Sequence, residues 1–137
     1  MAFVRVAHPK DFDVNRSRFS DTLFKQSTGG GMSVFDADCA IAQSGTICEH
    51  CRAYYGDLTG DPPIFCIIED SELPPGTVRT PSLSSTGDEC HFELIAPSKN
   101  MMKNQFKAKR SIENFFICDP SGKRVLRIDD FPAATAL

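Results

Sequence analysis

The stretch PPIFCIIE, residues 62–69, decides the fold because it contains the most apolar run of the chain. The five residues from Ile64 to Ile68 are all apolar, and two prolines stand directly before them. A short, continuous apolar run bounded by turn residues is typical of a buried strand. We therefore predict that residues 64–68 form a central strand of a sheet.

Five further segments have the composition and length of strands, and they lie on both sides of this run. They are FVRVA at 3–7, MSVF at 32–35, ECHFELIA at 89–96, NFFIC at 114–118 and RVLRI at 124–128. The last two are predicted to form a hairpin across the turn DPSG, residues 119–122. Residues 10–18 are predicted to be a polar loop. Residues 73–88, which contain three prolines, are predicted to be a long connection.

Helices are predicted where capping residues precede a helical pattern. The caps are Asp36 before 37–43, Thr46 with Glu49 before a helix to Tyr55, and Ser98 before a helix that ends near Arg110. Gly56 is expected just past the second helix, because glycine tolerates the left-handed conformation there. The pattern predicts an α+β fold, with a mostly antiparallel sheet and about three helices in one domain over residues 1–137. Residues 129–137 are expected to be a loose tail.

Composition indicates a folded protein without a membrane segment. Of the 137 residues, 41% are hydrophobic and 24% are charged, and no apolar run approaches the ~18 residues that cross a bilayer. The N-terminus lacks the pattern of a secretory signal, so a cytoplasmic location is expected. Several of the six cysteines lie within apolar segments, and we expect reduced core thiols in that compartment.

Positive charge is concentrated in one part of the chain. Residues 1–98 contain 7 basic and 14 acidic side chains, whereas residues 99–127 contain 8 basic and 2 acidic ones. In the predicted third helix the spacing of four, four and three residues places Lys99, Lys103, Lys107 and Arg110 in one stripe. This stripe is a candidate surface for a partner. A protein partner is favoured over nucleic acid because the rest of the chain is acidic.

His91 and Glu93 are the first candidates for chemistry. Residues two apart in a strand point to the same face, with Cα atoms about 7 Å apart. An imidazole and a carboxylate placed side by side can transfer protons, orient a hydroxyl group or supply two metal ligands. A polar pair on the solvated face of an antiparallel sheet needs no such role, and the spacing alone leaves both interpretations open.

Cys48 and Cys51 form a C-x2-C pair, which can supply half of a zinc site. Cys90 and His91 would be the other two ligands of such a site. The Thr46 capping box places the first two cysteines inside a helix, where core thiols are common. Zinc is therefore an alternative hypothesis, and the favoured interpretation has no metal.

The order of several short motifs resembles a set of small bacterial proteins without assigned activity. The counterparts in this chain are Arg5, His8-Pro9, Phe24, Met32-Ser33-Val34, the strand that runs from Pro62 into Leu73-Pro74, and His91-x-Glu93. The resemblance implies that His91 and Glu93 belong to a site, but it supplies no reaction.

A second pattern is similar to that of ADP-ribosyltransferases. It consists of Arg or His on a first strand, Ser on an inner strand and Glu on a later one. The resemblance implies that Arg5 or His8 would hold NAD, that Ser33 would shape the pocket and that Glu93 would stabilise the developing positive charge on the ribose. This chain departs from the pattern, because His91 stands where those enzymes often carry Gln or Glu, and 137 residues is short for that fold.

Two classes of function are consistent with these observations, and the sequence leaves open whether the protein is an enzyme. The first is a small cytoplasmic bacterial binding or regulatory module, associated with a mobile-element, toxin or defence cassette. The second is an enzyme that uses the face carrying His91 and Glu93, with Arg5, His8 and Ser33 as further catalytic candidates. NAD is the substrate in that case. A zinc-stabilised module and a nucleic-acid binder are further alternatives.

Overall fold

A seven-stranded antiparallel sheet forms the centre of the molecule, and residues 64–69 are an interior strand of it, as predicted. The computed structural model describes residues 1–13, 15–27, 30–59, 63–118 and 125–127. The sheet strands are β1 (Ala2–Ala7), β4 (Met32–Asp36), β5 (Ile64–Glu69), β6 (Val78–Pro81), β7 (His91–Ile95), β8 (Phe115–Cys118) and β9 (Val125–Arg127). Their order is β6-β7-β4-β1-β5-β8-β9. The predicted pairing of the last two strands is confirmed, whereas the predicted turn at 119–122 and the tail at 129–137 lie outside the described residues.

Each face of the sheet is covered by its own hydrophobic core. The first core contains Phe3, Phe24, Met32, Leu94, Phe106 and Phe115. The second core contains Val4, Phe35, Ala40, Phe65 and the disulfide-bonded sulfurs of Cys48 and Cys118. Alternation along β1 sends Phe3 and Val4 to opposite faces, which makes the fold three-layered.

Two helices, α1 (Ala37–Ser44) and α2 (Ile47–Thr59), lie on the second-core face. The Asp36 side chain accepts hydrogen bonds from the first turn of α1, and the backbone N–H of Glu49 donates to Thr46 Oγ1 (3.0 Å), so both predicted starts are confirmed. The predicted end of α2 at Tyr55 is wrong, because Gly56 does not take the left-handed conformation and the helix continues to Thr59.

The other face is covered by short elements. The loop predicted at 10–18 contains a small hairpin of β2 (Phe12–Asp13) and β3 (Arg18–Phe19), and a 3-10 turn follows at Asp21–Phe24. The predicted helix over 98–110 is much shorter, because α3 covers only Met101–Gln105. The helix ends where Phe106 takes φ −100° and packs against Phe24, and a 3-10 turn at Lys107–Arg110 replaces the last helical turns.

Residues 78–81 form an edge strand within the segment that was predicted to be a connection. All four residues of β6 are exposed, and Pro81 is among them. An exposed strand with proline has little hydrophobic signal, so periodicity does not reveal it. No helix in the described part of the chain is long and apolar enough to cross a membrane.

Two disulfides contradict the expectation of reduced core thiols. Cys39 of α1 is bonded to Cys90, directly before β7, and Cys48 of α2 is bonded to Cys118 at the end of β8. Only Cys51 and Cys66 are free, and both are buried. The expectation was wrong because burial of a cysteine does not distinguish a core thiol from a bridge that fastens two packed elements.

Candidate functional site

The candidate site lies where β1 and β4 separate. β1 pairs with β5 over its whole length, but it pairs with β4 only at Phe3 and Val4. β4 meanwhile continues its pairing with β7 down to Met32. The second half of β1 is therefore without ladder hydrogen bonds to β4, and a gap opens in the middle of the sheet.

This gap is the floor of a cavity of about 550 Å³, which we call the Glu93 cavity. Its wall includes all five side chains that the sequence singled out as catalytic candidates, namely Arg5, His8, Ser33, His91 and Glu93. Lys10, Asp11, Tyr55 and the loop 82–86 are also part of the lining. The volume lies within the range of roughly 300–1,000 Å³ that is common for small-molecule sites.

Glu93 is held in a fixed orientation by three groups. Ser33 Oγ donates to Glu93 Oε1 (2.8 Å), and the backbone N–H of Gly31 donates to Oε2 (3.2 Å). His91 Nε2 lies 3.5 Å from Glu93 Oε1. The Glu93 side chain keeps 27% of its surface exposed, so the oriented carboxylate remains accessible from the cavity.

Gly31 is a site residue that the sequence did not reveal. A Cβ atom at this position would lie 2.7 Å from the carbonyl oxygen of Leu94. Only a glycine allows the backbone to approach β7 closely enough for its N–H to reach Glu93. The run of three glycines at 29–31 was visible in the sequence, but the contact across 62 residues was not.

Arg5 bridges the gap between the strands. Its Nη1 donates to the carbonyl oxygen of Ser33 (2.8 Å), and its Nε donates to that of Leu23 (2.9 Å). Burial lowers the pKa of Arg5, while the neighbouring Cys66, Glu93 and Asp11 act in the opposite direction. The guanidinium therefore supplies the hydrogen bond that a continuous ladder would have given to β4.

The two histidines of the cavity have different tautomers set by their neighbours. His91 Nδ1 lies 2.8 Å from the carbonyl oxygen of Ser82, which only accepts, so Nδ1 carries a proton and Nε2 faces Glu93. At His8 the backbone N–H of Lys10 donates to Nδ1 (3.0 Å), which leaves Nε2 to carry the proton. His91 is thus placed to exchange a proton with a ligand or with Glu93.

A buried polar network supports the wall of the cavity. His50 Nε2 lies 2.9 Å from Asp88 Oδ1, and His50 Nδ1 lies 2.9 Å from Ser44 Oγ. Tyr55 donates to the other oxygen of Asp88. The pKa of Tyr55 is raised mainly by burial, and this hydrogen bond raises it further. The backbone N–H of Cys90 also donates to Asp88 (2.8 Å). The network joins α1, α2 and the loop before β7.

The alternative zinc site is contradicted by the disulfides. Of its four ligands Cys48, Cys51, Cys90 and His91, the first and third are disulfide-bonded and so provide no thiolate. In the described part of the chain, one group with metal-ligating atoms within 4.8 Å consists of His50, Asp88 and Cys90. It includes the same bridged Cys90 sulfur, and its other two members are hydrogen-bonded to each other.

The predicted basic stripe does not form one helical face. Lys99 precedes α3, Lys103 lies within it, and Lys107 and Arg110 lie in the following 3-10 turn. The stripe was wrong because it assumed 3.6 residues per turn through position 110. Lys107 and Arg110 instead line a second, smaller cavity of about 270 Å³.

Comparisons with known proteins assign no family to this chain. No protein-family model matches it, and neither a curated protein nor a solved structure does.

Proposed function

We propose that this chain is an enzyme that acts on a small ligand in the Glu93 cavity, and that its reaction is ADP-ribosyl transfer from NAD. The observation that carries the proposal is the convergence of Arg5, His8, Ser33, His91 and Glu93 on one cavity. A flat sheet with these side chains apart would have offered no enclosed place for a reaction.

In the proposed reaction Glu93 stabilises positive charge on the substrate. The bond between the nicotinamide nitrogen and C1 of the ribose breaks, and its electron pair leaves with neutral nicotinamide. Positive charge then develops on the ribose until an acceptor hydroxyl or amine attacks C1 and releases a proton. The hydrogen bonds from Ser33 and Gly31 hold the carboxylate in place before the reaction, which is the arrangement that electrostatic stabilisation requires.

Cationic groups on the wall support binding of the diphosphate of NAD. Arg5 and Lys10 carry the positive charge of this wall, and two donors of Arg5 are engaged by carbonyl oxygens. The neutral His8 adds its Nε2–H as a further donor. Guanidinium and ammonium groups are the usual partners of phosphate oxygens. His91 is placed beside Glu93 to accept the proton of the attacking group.

Binding and turnover of NAD test this proposal. NAD should bind saturably in calorimetry, and nicotinamide should be released, with water as acceptor when no other is present. Glu93→Gln should retain binding and lower nicotinamide release by about 100-fold or more. Glu113→Gln makes the same substitution at a glutamate outside the Glu93 cavity, so its rate of nicotinamide release should match that of the wild type. Absence of saturable NAD binding by the wild-type protein would rule the proposal out.

A second candidate, a binding module with a protein partner, is favoured by exposed apolar side chains at the edge of the sheet. Val78 on β6 is 56% exposed, and Leu83 at the wall of the cavity is 69% exposed. The outer edge of β6 has no neighbouring strand among the described residues. A partner that adds a strand at this edge would cover both side chains. Val78→Ser should abolish co-purification of that partner and leave nicotinamide release unchanged, because Val78 lies outside the Glu93 cavity.

We further propose that the folded protein resides outside the reducing cytoplasm. A cytoplasmic location was expected from the N-terminus, but two disulfides favour an oxidising compartment. Such a location fits a delivered toxin or defence protein better than a resident regulatory module.

A further inference from the structure

The second cavity has an unusual concentration of positive charge. It has a volume of about 270 Å³ and is lined by Arg16, Ser17, Arg18, Lys107, Ala108, Arg110 and Ser111. None of these lining residues is acidic. We propose that this basic cavity is a binding site for a phosphate group, separate from the Glu93 cavity.

Backbone contacts build the basic cavity from two distant segments. The N–H of Ile112 donates to the carbonyl oxygen of Ser17 (3.2 Å), and Arg18 forms an isolated antiparallel bridge with Ser111. Ser17 has a positive φ of 50°, an uncommon conformation for a residue with a side chain. Ser17 and Arg18 are therefore held against Ser111 and Ile112, which brings the basic residues of the two segments to one cavity.

The charges in this cavity are only partly compensated. Arg110 pairs with Asp21, and Arg16 pairs with Asp13 at 3.6 Å. Four cations and two carboxylates leave a net charge of +2. Burial lowers the pKa of Arg110, and the positive charges of Arg18 and Arg16 lower it further. A dianion in the cavity would relieve this repulsion.

Phosphate is the anion that best fits the donors. Arg18 offers a guanidinium group, which can bind two phosphate oxygens at once, and Lys107 adds a point charge. Arg110 contributes its positive charge, while its Nη1 pairs with Asp21 and its Nε donates to the carbonyl oxygen of Lys107 (3.2 Å). The hydroxyl groups of Ser17 and Ser111 are further donors to the remaining oxygens. The same chemistry recognises a free phosphate and the phosphate of a nucleic-acid backbone.

Calorimetry with inorganic pyrophosphate tests the proposal, and a single-stranded oligonucleotide in a parallel titration distinguishes the two sources. Both measurements use constant ionic strength. Arg18→Gln and Lys107→Gln should each weaken pyrophosphate binding by about tenfold, because each removes a charge-assisted contact. The matched control Lys103→Gln removes an equal charge from α3, outside the cavity, and should change binding less than about twofold.

Equal weakening by Lys103→Gln, or no saturable binding of either probe by the wild-type protein, would overturn the proposal. Tighter binding of the oligonucleotide than of pyrophosphate assigns the site to a nucleic-acid backbone, and the reverse assigns it to a free phosphate. Arg18 and Lys107 lie outside the Glu93 cavity, so both variants should release nicotinamide from NAD as the wild type does. A failure of the NAD proposal therefore leaves this one intact.

Discussion

Gly31 and Gly56 show how the surroundings of a glycine decide the effect of replacing it. Gly31→Ala places a methyl group 2.7 Å from the carbonyl oxygen of Leu94, whereas a Cβ at Gly56 meets nothing within 4 Å. We expect Gly31→Ala to lower the free energy of unfolding by about 1–3 kcal/mol. Gly56→Ala should raise it by about 0.5–1 kcal/mol, because glycine is unfavourable inside a helix. Urea denaturation measures both changes. A Gly31→Ala variant as stable as the wild type would contradict the close contact between Gly31 and the backbone of Leu94.

Asp88 accepts hydrogen bonds from three groups, two on α2 and one directly before β7, so its loss should be costly. Asp88→Asn replaces one acceptor oxygen by a donor beside His50, Tyr55 and the N–H of Cys90. We expect the free energy of unfolding to fall by about 2–3 kcal/mol, because a buried donor loses its acceptor.

The control for this variant is Asp38→Asn, which alters an exposed carboxylate near the start of α1. Its effect on the free energy of unfolding should stay within about 0.5 kcal/mol. Equal midpoints of thermal unfolding for the two variants would show that Asp88 is not held as described.

At the residue scale, sequence predicts the features that depend on local spacing and misses those that depend on register. The alternation of a strand placed His91 and Glu93 on one face, and the structure confirms it. The contact of Gly31 with Glu93 depends on how β4 is paired with β7, which no local pattern specifies. The pairing of His50 with Asp88 spans 38 residues and was missed for the same reason.

At the element scale, the disulfides fasten helices to strands. The bridge Cys39–Cys90 joins α1 to the start of β7, and Cys48–Cys118 joins α2 to the end of β8. The bonded cysteines are separated by 51 residues in the first bridge and by 70 residues in the second. In the chain-entropy model, each closure stabilises the fold by about 4 kcal/mol.

Removal of one bridge should therefore lower the stability strongly. The double variant Cys39→Ala with Cys90→Ala should unfold at a lower urea concentration than the wild type, by about 4 kcal/mol in free energy. Addition of a reductant should then have a smaller further effect than it has on the wild type, since one bridge remains. A variant as stable as the oxidised wild type would contradict the bridge.

Two elements could not be predicted because tertiary contacts override local preference. The segment after Ser98 has helical spacing, yet α3 stops at Gln105 because Phe106 packs against Phe24 in the first core. β6 is specified by its pairing with β7 and has no buried residue of its own. Strong, buried segments such as β5 were predicted correctly, because a strand buried on both faces requires a continuous apolar run.

At the scale of the whole molecule, the number of cysteines that react with a thiol reagent tests the two disulfides directly. Two of the six cysteines are free thiols, and burial raises the pKa of Cys51 and of Cys66 to about 12. Because thiolates react and thiols do not, the native protein should resist a thiol reagent at about pH 8. After denaturation without reductant, two thiols should be titrated, and after reduction all six.

Six thiols in the unreduced, denatured protein would contradict the bridges and favour the cytoplasmic prediction. Which cysteines are bonded to each other could not be predicted from the sequence, because six cysteines allow about fifteen full connectivities. The α+β class and the antiparallel sheet were predicted, because they depend only on the order and type of the elements.

The two bridges interleave along the chain, since Cys48 lies inside the first loop and Cys90 inside the second. A single protease cut between these two residues divides the backbone into two pieces, and both bridges cross the cut. Ser33 then belongs to one piece and Glu93 to the other, yet the pieces stay covalently linked until they are reduced. The nicked protein should therefore run as one band on a non-reducing gel and as two bands once a reductant is added.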